Sequence, residues 1–179
     1  MLNSYLSNCG KEHPFVYKRV FERLTDNFHN TAFEEIKLET SKLRTYAKVK
    51  TEIGIEKYLI SIKNTDIRSK VTKLRLSNHR LAIETGRHTS PKLPKEKRFC
   101  PFCPKQVEDE YHFLFKCDCM KHLREELLKP VMSIPGFESF PKDIKLKTLL
   151  LDPQHDTCKF IAKGMELRDF LTSKPRNND

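Results

Sequence analysis

Three thiols and one imidazole lie close together in this chain. Cys100 and Cys103 stand in the run CPFC, followed by His112 and Cys117, at the spacing C-x2-C-x8-H-x4-C. Thiolate and neutral imidazole are the donors that Zn²⁺ prefers, and four such protein ligands complete a tetrahedron with no position left for water. The chemistry implied is a structural zinc site, not a catalytic one. Ligands five apart on an ideal helix point about 140° away from each other. His112 and Cys117 can therefore share one ion only if the helix bends or ends between them. Cys119 is a rival fourth ligand, but seven residues of unbroken helix rise about 10 Å, too far for metal bonds of ~2.0 to 2.3 Å. Cys119, Cys9 and Cys158 read as small apolar fillers or spare thiols. Glu108, four residues before His112, either accepts the imidazole's second N–H or, with Asp109 and Glu110, serves the start of a helix. A redox dithiol is the competing reading of CPFC. It requires the first Cys exposed at a helix N-terminus after a strand, and here a Pro/Lys stretch precedes the motif and Pro104 follows it.

The rest of the chain must position these ligands with a thin core. Hydrophobic residues make up 37% of the 179, charged residues 32%, and there is no Trp. Typical domains carry roughly 25% charge, so a metal staple is a natural supplement. Four of six cysteines cluster around a histidine, which favours a metal site in a reducing compartment over a disulfide framework. An intracellular protein, nuclear or cytoplasmic, is expected. No apolar run approaches the ~20 residues of a membrane span. The net charge of +10 is concentrated: residues 41–99 hold sixteen Lys and Arg against five Asp and Glu. Such a local excess recruits polyanions, of which RNA and DNA are the commonest inside cells. The alternative is a solvated basic face with no partner.

Periodicity predicts a mostly α-helical protein, a small helical domain with the C-x2-C…H-x4-C module embedded in it. Residues 1–40 form an N-terminal segment. Tyr17, Val20, Phe21 and Leu24 suggest a helix from about Pro14 to Asp26, and these side chains are expected in a core. Asn27–Asn30 is expected to break it before a second helix capped by Thr31. A basic helical region spans 41–87: one helix carries Leu43, Tyr46 and Ala47, and Asn64 to Asp66 cap another. Ile67, Val71, Leu74 and Leu81 fall on one stripe of the latter, with Leu76 and Ile83 on the back, so it either touches a second element or ends before Leu81. Arg68 and Arg75 flank one side of the stripe, Lys73 and Arg80 the other. Residues 88–99 read as a semi-rigid linker, 100–129 as the zinc module, 130–172 as C-terminal helices separated by Pro153, and 173–179 as a disordered tail.

The run YLISIKNTDIRSKVTKLRLSNHRLAIETGRH, then RFCPFC, then VEDEYHFLFKC, resembles the extreme C-terminal region of LINE-type (non-LTR) retrotransposon reverse transcriptases. The resemblance extends from about Ser41 to Arg168 and is most specific between Leu74 and Cys117. It implies that Cys100, Cys103, His112 and Cys117 bind one zinc, and that Arg75, Arg80 and Arg87 lie in the segment leading to them. It also implies a tail that holds element RNA or target DNA. Polymerisation needs clustered Asp carboxylates holding two metal ions, and the chain contains no Asp-Asp pair. The expectation is a non-enzymatic, nucleic-acid-binding fragment contacting phosphates through Arg68, Lys73, Arg75, Arg80 and Arg87. The alternative is a structural or protein-interaction fragment whose zinc only folds it.

Overall fold

A computed structural model of the chain describes residues 14–37, 43–50 and 54–173. Its contacts divide into two units, Met1–Ser41 and Lys42–Asp179. In the first, α1 runs unbroken from Pro14 to Lys37. The expected break at Asn27–Asn30 does not occur. Beyond Pro14 the helix contains neither Gly nor Pro, and asparagine costs only tenths of a kcal/mol in a helix interior; Thr31 caps no new helix but donates its hydroxyl back to the Asn27 carbonyl. Val20, Phe21 and Leu24, expected in a core, are exposed, as is Phe28.

The second unit is helical, with no strand among its described residues. Its elements are α2 (Arg44–Val49), α3 (Lys57–Ser61), α4 (Thr65–Arg75), α5 (Ala82–Thr85), α6 (Lys121–Leu127), α7 (Lys129–Met132), α8 (Lys142–Leu150) and α9 (His155–Ser173). Asn64 starts α4 as its side chain accepts from the backbone N–H groups of Asp66 and Ile67 at 3.0 and 3.1 Å. The helix stops at Arg75, before Leu81, through a turn in which Ser77 takes a left-handed conformation with φ 52°. Leu81 and Ile83 thus reach the core from a separate element.

The core lies where α4 packs against α9 and where α2 joins α8 to α4. Val71 and Leu74 meet the apolar face that includes Phe160 and Ile161, with Val49, Leu149 and Leu150 around them. At Gly164 of α9 an added Cβ would stand 2.9 Å from the Phe113 ring, so this close approach requires glycine. Pro130 lies in the first turn of α7, where a missing N–H costs nothing. Residues 173–179 fall almost entirely outside the described residues.

Three arginines are buried, Arg75, Arg98 and Arg168, and the first two belong to the basic region. Arg75 is 1% exposed; its guanidinium donates to the carbonyls of Leu150 and Leu151 and to Glu56, and it lies 5.1 Å from the ring centroid of Tyr58. Arg98 donates to the carbonyls of Leu93 and Ile83. That second contact changes the character of the 88–99 stretch. It is not a spacer between modules but a folded-back loop, closed by Leu93 N–H on the Gly86 carbonyl and by Thr89 on Gly86 and Pro91. Gly86 is glycine because its Cβ would lie 2.7 Å from the Arg98 side chain.

Candidate metal centre

The first two ligands sit on a hairpin. Phe99 pairs with Val107, Cys100 N–H donates to the Gln106 carbonyl at 2.7 Å, and Glu108 N–H donates to Arg98. The tight turn between these limbs aims both sulfurs to one side. Backbone N–H groups point at them: Phe102 at Cys100 Sγ, 3.5 Å, and Asp118 at Cys103 Sγ, 3.4 Å. Such donors stabilise thiolate charge.

The other two ligands come from a single widened turn. His112–Lys116 is a π-helical turn in which Cys117 N–H bonds to the His112 carbonyl at 2.8 Å, five residues back, and the chain then becomes extended at Cys117. Widening the turn brings the fifth residue back over the first, which answers the geometric objection that a regular helix raises. Arg124 secures the end of the turn by donating to the carbonyls of Leu114 and Cys117 at 2.9 and 2.8 Å.

The outcome is a closed cluster. The ligand atoms of Cys100, Cys103, His112 and Cys117 all lie within 4.8 Å of one another, and all four residues are buried. Cys117 Sγ stands 3.9 Å from both Cys100 Sγ and Cys103 Sγ. A tetrahedral ion with metal–sulfur bonds of ~2.3 Å requires sulfurs about 3.8 Å apart. His112 Nε2 is buried without a hydrogen-bond partner, a costly arrangement unless another group takes up the nitrogen. These four residues can hold a metal ion. Cys119 lies outside the group and is only half-buried.

The neighbouring Cys117 thiol, followed by burial, pushes the Cys100 thiol up to about 12, and burial pushes Cys103 upward. A redox dithiol needs an exposed, readily ionised first cysteine. Cys100 is buried. Metal binding would instead displace the protons of these thiols.

Glu108 does not bond His112. Its two oxygens receive Nε and Nη2 of Arg168 at 2.6 and 2.7 Å, and one also accepts Ala82 N–H. It approaches the candidate ligand Cys100, whose Sγ is 4.0 Å from one of its oxygens. Glu108 is drawn from the imidazole by a buried, bidentate arginine sixty residues along the chain. Arg168 had one sequence signal: a charge on the apolar spacing of Ile161 and Met165. Arg124 and Arg98 had none.

Glu110 anchors a second network with Arg44, Ser77 and His79. Burial alone would raise its carboxyl; the His79 hydrogen bond and the Arg44 charge overrule that and hold it down at about 2.

The five basic residues expected to contact phosphate separate into distinct environments. Lys73 and Arg80 are exposed and line one recess with Lys70, His79 and Asp169. Arg68 is half-buried and donates to the Leu59 carbonyl. Arg87 pairs with Glu84 at 3.3 Å. Arg75, expected at a phosphate, is instead buried: its guanidinium is taken up by the core and presents nothing to a phosphate. No protein-family model, curated protein or solved structure matches the chain.

Proposed function

We propose that this chain is a non-enzymatic, zinc-stapled module that binds RNA or DNA, of the kind found at the C-terminal end of LINE-type reverse transcriptases. The observation that carries the metal half is the buried Cys3His cluster at tetrahedral sulfur spacing. Three sulfurs and one imidazole with no water position suit zinc, whose filled d shell accepts a tetrahedron without preference. The nucleic-acid half rests on charge. Burial of Arg75 and Arg98 removes two cations from the surface, yet Lys57, Lys63, Lys73, Arg80, Lys92, Lys95 and Lys97 remain exposed. Binding through these groups is sequence-tolerant and salt-sensitive.

The test uses the zinc-loaded chain in mobility shifts over a salt series. Replacing Lys73 and Arg80 together by Ala is expected to weaken binding to all sequences alike and to reduce the salt slope by about 1.4 to 1.8, which is two phosphate contacts. Unchanged affinity and slope would leave the fold-only zinc fragment as the better reading.

A further inference from the structure

The hairpin that carries Cys100 leads into the metal centre with an inverted pattern. Arg98, Phe99 and Cys100 lie on a limb bridged antiparallel at Phe99 and tied to its partner by Glu108 N–H on the Arg98 carbonyl and Cys100 N–H on the Gln106 carbonyl. Side chains alternate along such a limb. Arg98 turns inward to cap Leu93 and Ile83, and Cys100 turns inward to the ligand cluster, so Phe99 must face outward. It is 44% exposed, while Arg98 is 9% exposed. A solvent-side position next to a rigid turn ordinarily carries a polar residue. Here it carries an aromatic ring whose backbone is bridged to Val107 and whose next residue is a metal-ligand candidate.

The chain on either side of that ring is cationic. The loop running into Phe99 exposes Lys92, Lys95 and Lys97, with Glu96 its sole acid, and Lys105 is exposed near the tip of the same hairpin. Leu93 adds a second partly exposed apolar side chain. A rigid aromatic face amid lysines matches the chemistry of single-stranded nucleic acid, where bases stack on rings and phosphates meet ammonium groups. Bases inside a duplex have both faces covered by their neighbours and cannot use such a ring.

We propose that Phe99 is a stacking platform for an unpaired base of single-stranded RNA or DNA, with Lys92, Lys95, Lys97 and Lys105 holding the flanking phosphates. The inference rests on the nucleic-acid-binding reading above and narrows it to unpaired strands.

The full chain has no Trp, so Phe99→Trp places a unique fluorophore at the platform. The zinc-loaded variant is titrated with a 12-nucleotide oligo-U or oligo-dT and with a duplex of equal length. Quenching of the Trp emission by the single strand, and not by the duplex, is expected. Phe99→Leu, which keeps the apolar bulk but lacks a π face, is expected to weaken single-strand binding roughly 5- to 150-fold while zinc content and salt slope stay as in the parent chain. Unchanged Trp emission at saturating single strand, or parental affinity in a zinc-replete Phe99→Leu chain, overturns the platform and leaves the binding function standing. Absence of binding to any strand by the parent chain at low salt overturns both. Should Phe99→Leu lose its zinc, the Phe99→Trp titration decides alone.

Discussion

Arg75 shows how a single side chain can change role when its neighbours are known. A guanidinium bonded to two main-chain carbonyls and Glu56, and flanked by Tyr58, is an internal strut. Truncation to Ala takes a donor from the carbonyls of Leu150 and Leu151 and leaves the half-buried Glu56 with Lys50 as its remaining cation, so Arg75→Ala is expected to cost about 1–3 kcal/mol in urea denaturation. Arg75→Lys should recover only part, because a point charge cannot satisfy three acceptors arranged for a planar fork. Intact stability in Arg75→Ala would return the residue to the surface role. Arg168 differs in that its partner, Glu108, lies against the candidate metal ligand Cys100. Arg168→Met leaves the buried Glu108 carboxylate beside Cys100 with no cation and only the Ala82 N–H as donor, and metal affinity in a chelator competition is expected to fall about 10- to 100-fold.

Among the elements, α4 and the π turn do the positioning. Asn64 caps α4 by accepting from two backbone N–H groups, so Asn64→Ala is expected to cost about 1 kcal/mol, read as a lower denaturation midpoint with zinc content unchanged. The π turn depends on its packing as well as on its hydrogen bond. Phe113 leans on Gly164 of α9, with ring centroids of Phe113 and Phe160 5.9 Å apart. Gly164→Val would drive a branched side chain into the Phe113 ring. Destabilisation of about 1–3 kcal/mol is expected, together with weaker metal retention, because the displaced turn carries both His112 and Cys117. A Gly164→Val chain that holds its metal as tightly as the parent would separate the turn from α9.

At the scale of the molecule, α9 ties these parts into one unit. It packs on α4, receives Phe113 at Gly164 and donates Arg168 to Glu108. The core is continuous from Val49 and Val71 to Cys100, Cys103 and Cys117. Metal removal should therefore unravel more than the hairpin. Treatment with excess chelator is expected to reduce helical circular dichroism in one cooperative step, with recovery on adding Zn²⁺, since binding energy at such sites is folding energy. Helicity that persists without metal would show that the apolar core suffices.

The sequence by itself determined the four candidate ligands, the helical class and the concentration of positive charge. Each depends on residue type and short-range spacing: CPFC is a local turn, helical stripes repeat every three or four residues, and charge is a count. It also stated the geometric difficulty, that His112 and Cys117 cannot share an ion on a regular helix. Only the tertiary structure decided how that difficulty is met, through a π turn held by Arg124 and by packing of Phe113 on Gly164. It alone separated the buried Arg75 from the exposed Lys73 and Arg80, and it gave Glu108 to Arg168 instead of His112. The physical reason is common to these cases. Charged side chains are long, their partners lie many tens of residues away, and burial is settled by which elements pack together, which no local pattern encodes.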